Sequence, residues 1–431
     1  MSGSELPDPL PIRPRGPLAA TVHPPGSRSL ANRALLAAAL ARGTTVVRNV
    51  TPSDDTDAMR EGLGVLGVAF ERHGGGDDWR VRGVDGRLVP VAHELDVRAS
   101  GTTARFLTAA ATLASAPVVL DGTKRMRERP IADLAAALGA LGARVEVLGA
   151  NGCPPVRAGG ARLLGGEALL DVRRTSSQYV SGILLAAPYA QRDVTLRFVG
   201  DEVISRPFVD LTLAVMRDFG AEAEWRGPGT VFVRAGRTYQ AREYAVEPDA
   251  QGAAYGFAAA AIAGGSVTIP NLPRSSIQPD LGFLEALARM GCEVDRGADA
   301  ITLRGAPMLR GIRVDANAWP DAALALAVVA LFAEGPTEIV NVPNLRIKET
   351  DRLAALEREL TKLGAHATTG PDWLRIEPGP PRGAAIDTYD DHRMAMSFAL
   401  AGLRIPGVSI RDPGCVRKTW PRFFEALETW K

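Results

Sequence analysis

The chain has 431 residues, of which 46% are hydrophobic, 23% charged and 6% aromatic. This composition excludes a mainly disordered protein, and the length favours two or three globular domains. Fifty basic and 49 acidic residues give a net charge of +1, which excludes the broad positive field that binding to nucleic acid or to an anionic membrane requires. No apolar run approaches the roughly 20 residues that span a bilayer. The three cysteines have no regular spacing, which indicates reduced thiols in a cytoplasmic protein.

The predicted elements repeat along the chain with a period of about 72 residues. Each copy consists of an amphipathic helix, a glycine and an alternating strand. Because glycine suits the left-handed position that ends a helix, these glycines predict helix ends. A sixth copy is expected to be divided between the two ends of the chain. The glycines of the other copies are Gly67, Gly142, Gly220, Gly291 and Gly364.

A second class of predicted helix also repeats, and each copy starts at a residue that favours the N-cap position. The six starts are Ser27, Ser100, Ser176, Asp249, Asp321 and Asp391. A helix N-terminus carries partial positive charge and free N–H groups, so it suits anions. We expect three helix starts on one face of each half of the chain, and two such faces that form an anion-binding cleft.

The change from serine to aspartate at these starts predicts the domain boundaries. The first domain would comprise residues 21–245, and the second would comprise residues 246–431, completed by residues 1–20. The chain would then cross twice between the domains, near Ala20 and near Val246, and these crossings would form a hinge.

Two motifs that resemble ligand sites have structural explanations. The glycines of 62–67 match GxGxxG, but they end a helix, whereas a dinucleotide-binding loop follows a strand and opens a helix. The acidic segment SDDTD at 53–57 is explained by Ser53 as an N-cap, with carboxylates that the helix dipole stabilises. The histidines are too scattered to ligate a metal by local spacing. We therefore predict no metal and no dinucleotide cofactor.

The densest charged motif is NLRIKETDR at 344–352. Most runs of this kind are solvated surface. If the segment 346–348 is extended, however, Arg346 and Lys348 share one side and Glu349 faces the other. Such a cluster could pair an acid with cations around an anionic reactant. The chain has only five lysines, and two of them are Lys348 and Lys418, which indicates a need for a compact ammonium group at these positions.

Nine motifs, in this order across nearly the whole chain, resemble the 5-enolpyruvylshikimate-3-phosphate (EPSP) synthase family of enolpyruvyl transferases. Any one of them alone is a weak indication, whereas nine in order are a strong one. The motifs are GSRS, SGTTAR, KRMRERPI, SSQ, SRPFVDLT, WPDAA, NLRIKETDR, DDHRMAM and KTWP.

The resemblance implies a two-domain inside-out α/β barrel made of six βαβαββ repeats. It also implies an enzyme of the shikimate pathway, a target of the inhibitor glyphosate, which transfers the enolpyruvyl group of phosphoenolpyruvate to the 5-hydroxyl of shikimate 3-phosphate and releases phosphate. No cofactor and no macromolecular partner are implied, neither nucleic acid nor membrane, and a monomer is expected.

The resemblance also assigns roles to individual residues. Asp321 takes the hydroxyl proton, and Glu349 delivers a proton to the methylene carbon. The implied contacts to shikimate 3-phosphate are Arg28, Ser29, Arg33, Ser176, Ser177, Gln178, Ser205, Asp321, Asn344 and Lys348. The implied contacts to phosphoenolpyruvate are Arg28, Gly101, Arg125, Gln178, Arg352, Arg393 and Lys418.

Some positions depart from the family pattern. Arg28 and Arg206 stand where lysine is usual, Ala99 where asparagine is usual and Phe208 where tyrosine is usual. A guanidinium binds phosphate or carboxylate but cannot exchange a proton near neutral pH. Position 28 therefore either only binds substrate, or its arginine impairs turnover. Phe106 lies in the helix that governs sensitivity to glyphosate in the family, so the inhibitor response is left open.

Three alternative functions are left open by the sequence. One is a related enolpyruvyl transferase with a different acceptor or with impaired activity because of Arg28. A second is the sister enzyme that acts on UDP-N-acetylglucosamine, although its loop cysteine is missing from DGTKRMRERP at 121–130. The third is a non-catalytic RNA-binding protein, which the near-neutral charge and the lack of an aromatic and basic stacking surface disfavour.

Overall fold

A computed structural model describes residues 6–74, 76–171, 176–201 and 205–431. The α-helices in these ranges are α1 (Arg28–Leu40), α2 (Asp54–Val65), α3 (Gly101–Ala111), α4 (Ala132–Ala140), α5 (Ser177–Ala186), α6 (Arg206–Asp218), α7 (Ala250–Ala263), α8 (Gly282–Arg289), α9 (Ala323–Val329), α10 (Arg352–Lys362), α11 (His392–Ala401) and α12 (Phe423–Thr429). The strands are β1 (Leu10–Pro11), β2 (Leu18–Thr21), β3 (Thr44–Arg48), β4 (Ala69–Arg72), β5 (Trp79–Arg82), β6 (Glu94–Asp96), β7 (Val118–Asp121), β8 (Val145–Val147), β9 (Val156–Ala158), β10 (Gly166–Leu170), β11 (Val194–Phe198), β12 (Ala223–Trp225), β13 (Thr230–Val233), β14 (Glu243–Ala245), β15 (Gly265–Pro270), β16 (Glu293–Arg296), β17 (Ala300–Arg304), β18 (Leu309–Arg310), β19 (Arg313–Asp315), β20 (Ala333–Glu334), β21 (Thr337–Val340), β22 (His366–Thr369), β23 (Leu374–Glu377), β24 (Ala385–Ile386) and β25 (Ser409–Ile410).

One sheet plan recurs throughout the described chain. In the clearest copy, β10 pairs in parallel with β11, β11 pairs antiparallel with β13, and β13 with β12, so that the chain order is βαβαββ. The other four-stranded sheets have the orders β14-β3-β5-β4, β6-β7-β9-β8, β16-β17-β15-β2 and β19-β21-β23-β22. The fold class predicted from the sequence is confirmed.

The glycines that mark the repeat end helices in the left-handed conformation, as predicted. Their φ angles are 93° at Gly67, 79° at Gly142, 90° at Gly220, 109° at Gly291 and 104° at Gly364. At such φ angles a side chain would be strained, so glycine is the residue that lets each helix end and the chain turn into the next strand.

The sixth copy is shared between the two ends of the chain. Strand β24 pairs in parallel with β25, and β25 pairs antiparallel with β1, with Leu10 opposite Ile410. These three strands form the remaining sheet of the repeat. The N-terminal segment is therefore part of the same sheet as the last strands of the chain.

Two compact units make up the described chain. The central unit is Gly26–Val246, and the terminal unit is Met1–Pro25 together with Glu247–Lys431. In the central unit α1, α3 and α5 contact one another, and in the terminal unit α7, α9 and α11 do the same. These helices are buried nearly all round; in α7 every residue except the last is buried. Their alanine-rich sequences fit this position, because small apolar side chains let helices pack closely.

None of the described helices combines the length and the apolar character that crossing a membrane requires.

Candidate active site

The start of α1 in the central unit places Arg28 against an acid of α2. Gly26 packs so closely on the carbonyl oxygen of Asn49 that a Cβ atom would lie 2.0 Å from it, which fixes the turn before Ser27. The Nη1 of Arg28 lies 2.7 Å from Oδ2 of Asp55, and both side chains are largely buried. The Oδ1 of Asp55 is buried and has no hydrogen-bond partner within the described ranges. Asp55 therefore orients Arg28, and it belongs to the acidic segment that the sequence analysis explained by helix capping alone.

Arg33 lies one turn further along α1 and is only 3% exposed. Its guanidinium donates to Oγ1 of Thr212 at 2.7 Å, to Oγ of Ser181 at 3.3 Å and to the carbonyl oxygens of Ser29 and Phe208 at 2.7 and 3.1 Å. All of these acceptors are uncharged, and burial lowers the pKa of Arg33 to about 9. The structure thus places a buried positive charge beneath the start of α1, and direct contact of Arg33 with shikimate 3-phosphate stays a prediction.

The starts of α3 and α5 lie side by side. The Ser100 hydroxyl accepts from the N–H of Thr103 at 3.4 Å, and the Ser176 hydroxyl accepts from the N–H of Gln178 at 3.2 Å, so both serines act as the predicted N-caps. The side-chain amide of Gln178 donates to Oγ1 of Thr102 at 3.0 Å and links the two helix starts. Two helix N-termini therefore meet at one place, which suits an anion.

One arginine of the segment 121–131 lies directly at the start of α3. A Cβ atom on Gly101 would lie 2.5 Å from Nη2 of Arg129, so glycine lets that guanidinium lie against the first turn of α3. Arg125 is half-exposed and its Nη1 lies 2.9 Å from Oε2 of Glu128. Gly101 and Arg125 were predicted through the family resemblance. Arg129 was not predicted, because its proximity to Gly101 depends on how the chain folds between 121 and 131.

Arg105 on α3 is a second buried guanidinium of the central unit. It donates to the carbonyl oxygen of Pro130 at 2.7 Å, and its Nε has no partner among the described residues. Burial, with the charge of Arg129 nearby, lowers the pKa of Arg105 to about 10. Its carbon atom Cζ lies 5.9 Å from the ring centre of Tyr179, which contributes a cation–π contact.

The remaining predicted residues of the central unit lie at helix starts. Ser177 is buried in the first turn of α5. Ser205 precedes α6 with a left-handed φ of 57°, and its carbonyl oxygen accepts from the N–H of Phe208 at 3.0 Å. Arg206, by contrast, lies over the ring of Trp225 at 4.0 Å. The arginine at position 206 is therefore explained by stacking on an aromatic ring.

In the terminal unit, Arg352 at the start of α10 joins three carboxylates. Its guanidinium donates to Oδ1 of Asp321 at 2.7 Å, to Oε2 of Glu349 at 2.8 Å and to Oδ2 of Asp391 at 2.7 Å. The side chain is only 1% exposed. These ion pairs raise the pKa of Arg352 despite its burial, so the group stays charged.

Three further cations complete this cluster. Lys348 Nζ lies 3.3 Å from Oδ1 of Asp321, Arg393 Nη2 lies 3.3 Å from Oδ2 of Asp321, and Lys418 Nζ contacts Oε1 of Glu349. Burial raises the pKa of Asp321, but the charges of Lys348, Arg393 and Arg352 outweigh this effect and hold the pKa well below its usual range. The structure therefore brings together both predicted catalytic acids and four of the predicted cations.

An anionic ligand can replace the carboxylates as the partner of these cations. An incoming phosphate or carboxylate group competes with Asp321 and Glu349 for the same donors. Once the cations bind such an anion, the carboxylates lose part of their stabilisation and become stronger bases. This arrangement can bind anions and move protons in the same place.

One local prediction for this region is wrong, and one condition considered for the charged motif is not met. Asp321 is not an N-cap: α9 begins two residues later, at Ala323, and the carboxylate of Asp321 is used by the ion pairs instead. The segment before Lys348 is not extended, because Pro343 opens a 3-10 turn over Pro343–Ile347. Arg346 consequently turns away and pairs with Asp351 at 2.8 Å, so it does not join the cluster.

Asn344 lies in the same 3-10 turn, and its side-chain oxygen is an unused hydrogen-bond acceptor within the ranges described above. Its Oδ1 is buried and has no hydrogen-bond partner in the described part of the chain. A buried acceptor without a donor costs free energy, on the order of 1–3 kcal/mol. A ligand hydroxyl would satisfy it.

A family model described as EPSP synthase (3-phosphoshikimate 1-carboxyvinyltransferase) matches residues 12–427. The chain belongs to this family.

Known relatives agree over nearly the whole length of the chain. The 3-phosphoshikimate 1-carboxyvinyltransferase of Methanoculleus marisnigri is 44% identical over 414 residues, which cover 96% of this chain and 97% of the relative. The enzyme of the same name from Nostoc punctiforme is 42% identical over 416 residues, with the same coverage. A solved structure of EPSP synthase from Acinetobacter baumannii, 27% identical, superposes with a TM-score of 0.82, and the match covers 97% of both chains.

Proposed function

We propose that this chain transfers the enolpyruvyl group of phosphoenolpyruvate to the 5-hydroxyl of shikimate 3-phosphate and releases inorganic phosphate. The observation that carries this proposal is the ion-pair cluster of the terminal unit. There the carboxylates of Asp321 and Glu349 lie on the same guanidinium, that of Arg352, and each contacts a lysine as well. Addition of a hydroxyl across the double bond of an enol phosphate requires both a base and an acid, and both reactants carry phosphate and carboxylate groups.

Each member of the cluster has a role in this proposal. Asp321 accepts the proton of the 5-hydroxyl as the oxygen attacks C2 of phosphoenolpyruvate. Glu349 delivers a proton to C3, and its contact with Lys418 provides an ammonium group that stabilises the carboxylate left behind. Loss of phosphate from C2, with return of a C3 proton to the Glu349 carboxylate, then forms the C2–C3 double bond of the enol ether product. Arg352, Arg393 and Lys418 bind phosphoenolpyruvate, since several charge-assisted hydrogen bonds are needed to hold its two anionic groups.

We assign the remaining predicted residues to the two substrates as follows. In the central unit the paired helix starts, with the Gln178 amide between them, support a role in anion binding. Lys348 and the unsatisfied acceptor of Asn344 suit a ligand that carries hydroxyl groups. The assigned contacts to shikimate 3-phosphate are Arg28, Ser29, Arg33, Ser176, Ser177, Gln178, Ser205, Asn344 and Lys348, and those to phosphoenolpyruvate from the central unit are Arg28, Gly101, Arg125 and Gln178.

A second candidate is a related enolpyruvyl transferase with a different acceptor or slower turnover, and the pairing of Arg28 with Asp55 at 2.7 Å favours it. A lysine in place of Arg28 could donate a proton to the chemistry, whereas a guanidinium held by a carboxylate could not. Comparing the wild type with Arg28→Lys separates the two candidates. In the second candidate the lysine variant turns over shikimate 3-phosphate faster.

The test is a continuous phosphate-release assay with shikimate 3-phosphate and phosphoenolpyruvate. We expect turnover by the wild type that depends on both substrates, and a loss of about 10²–10⁴-fold in kcat for Glu349→Gln, which is typical of removing a general acid. Glu293→Gln, on the exposed face of β16, is the control and keeps wild-type kcat. A folded wild type that releases no phosphate would refute the proposal.

We also propose that the protein acts as a cytoplasmic monomer. The near-neutral net charge, the irregular cysteines and the family resemblance support this. Light scattering at assay concentrations tests the monomer: a mass near 45.6 kDa agrees with it, and twice that mass contradicts it.

A further inference from the structure

Two buried polar side chains lie behind Arg393 and have no role in the reaction described above. Gln251 lies in the first turn of α7, and Asp280 lies in the 3-10 turn Pro279–Leu281 that leads into α8. Each is 4% exposed. Burying an amide and a carboxyl group costs free energy unless both are hydrogen-bonded, so the contacts that they make indicate what they do.

The contacts of these side chains lead to the reaction centre. Nε2 of Gln251 donates to Oδ2 of Asp280 at 3.2 Å, and Oε1 of Gln251 accepts from Nη2 of Arg393. The same guanidinium nitrogen lies 3.3 Å from Oδ2 of Asp321, and Nη1 donates to the Tyr255 hydroxyl at 3.3 Å. Asp280 fixes which end of the amide faces Arg393, because only the amide nitrogen can donate to it.

Capping of α7 does not explain Gln251. Oδ2 of Asp249 accepts from the N–H of Gly252 at 3.2 Å, and Oε1 of Gln278 accepts from the N–H of Ala250 at 3.0 Å. These two side chains already satisfy N–H groups of the first turn. Gln251 directs both ends of its amide away from the helix backbone instead.

We infer that Gln251 and Asp280 are positioning residues for Arg393: an uncharged pair that fixes the guanidinium while leaving its positive charge for the anionic groups of phosphoenolpyruvate. This inference rests on the proposed function. A glutamate at position 251 would hold the guanidinium equally well, but it would also neutralise it. An amide holds it without competing with the ligand.

The protonation of Asp280 agrees with an uncharged pair. Burial, with the charges of Asp321 and Asp249 nearby, raises its pKa to about 8 although Arg393 and the Gln251 amide oppose this. The carboxyl group therefore carries its proton at neutral pH. Its Oδ1 is buried without a hydrogen-bond partner among the described residues, which an ionised oxygen would tolerate poorly.

The inference is tested by steady-state kinetics of Gln251→Met, Gln251→Glu, Asp280→Leu and Asp280→Asn. A guanidinium displaced by about 1 Å costs on the order of 10–100-fold, so we expect Gln251→Met and Asp280→Leu to raise KM for phosphoenolpyruvate by this factor while KM for shikimate 3-phosphate stays within about threefold. Gln251→Glu should raise KM for phosphoenolpyruvate at least as much. Asp280→Asn keeps an uncharged acceptor for the Gln251 amide and should keep KM for phosphoenolpyruvate close to the wild-type value.

Gln278→Ala is the matched control: Gln278 directly precedes the 3-10 turn Pro279–Leu281, and its buried amide accepts from the N–H of Ala250 at the start of α7. No contact of Gln278 with Arg393 is found among the described residues. We expect it to lower the melting temperature and to leave KM for phosphoenolpyruvate unchanged. The pH profile gives a second readout. As the pH rises above about 8, Asp280 ionises beside Arg393 and KM for phosphoenolpyruvate increases in the wild type, whereas Asp280→Asn lacks this increase.

Two results would overturn the inference: an unchanged KM for phosphoenolpyruvate in Gln251→Met, or an Asp280→Asn variant as impaired as Asp280→Leu. If Asp280→Leu does not fold, the two Gln251 variants decide. If the wild type shows no turnover, the proposed function fails, and crystal structures of the wild type and Gln251→Met decide the inference separately. A guanidinium of Arg393 that moves supports it, and one that stays in place contradicts it.

Discussion

Replacing Asp321 by asparagine tests the ion-pair cluster most directly, because it removes one negative charge from between three cations. Lys348, Arg352 and Arg393 lie 3.3, 2.7 and 3.3 Å from its carboxylate oxygens. Asparagine has nearly the same shape and keeps one acceptor, but it cannot take a proton. We expect opposite effects on chemistry and on binding.

The two magnitudes follow from the charge and the distances. Loss of a general base lowers kcat by about 10²–10⁴-fold, or about 3–5 kcal/mol in the barrier. A ligand anion bound to these cations would lie about 6 Å from the removed charge, which at an effective dielectric constant of about 20 corresponds to an upper limit near 3 kcal/mol. We therefore expect the apparent KM for phosphoenolpyruvate to fall, by up to about a hundredfold.

The assay is steady-state phosphate release at saturating shikimate 3-phosphate, with Asp295→Asn on the exposed face of β16 as the control. The control should match the wild type in kcat and in KM for phosphoenolpyruvate. A kcat of Asp321→Asn within threefold of wild type would show that Asp321 is not the base. A rise in KM for phosphoenolpyruvate would show that its carboxylate does not compete with the substrate for the cations.

Three further predictions concern other parts of the molecule. Arg28→Lys should change kcat by less than about threefold if position 28 only binds substrate, and a tenfold increase in phosphate release would show that arginine limits turnover. Arg206→Lys should lose about 0.5–1 kcal/mol in urea unfolding because its contact with Trp225 weakens, with both KM values unchanged; a change in KM would place it in the site. Gly364→Ala should cost at least about 2 kcal/mol of stability, since its φ is 104° and a Cβ would lie 2.1 Å from a backbone oxygen. Gly139→Ala, within α4, has open space around the new Cβ and should gain about 0.5–1 kcal/mol. Equal melting temperatures for the two variants would contradict this prediction.

The fold was predictable because its repeat is marked by residues whose conformational preferences are local. A glycine with a left-handed φ ends a helix wherever it occurs, so Gly67 and Gly364 revealed equivalent positions without any knowledge of tertiary structure. The serine N-caps at Ser100 and Ser176 were predictable for the same reason. Asp321 was predicted as a cap from the same pattern and is not one: its carboxylate contacts three cations instead, and those contacts depend on the tertiary structure.

The candidate site was predictable only where a motif carried it. Lys348, Glu349 and Arg352 lie within five positions of one another, and the charge density alone drew attention to them. The contacts of Asp55 with Arg28 and of Gln251 with Asp280 join residues about 27 to 29 positions apart. Such pairs are set by how helices pack, and no local period encodes them.

The strand shared by both ends of the chain has a consequence for biosynthesis. Residues 26–246 leave the ribosome as a contiguous stretch and can fold while translation continues, since domains generally fold as they emerge. Leu10 has to wait for its partner, Ile410, which is made some four hundred residues later. Strand β2 of the same N-terminal segment gains its partner β15 much earlier, so β1 alone stays without its sheet until β25 has been made.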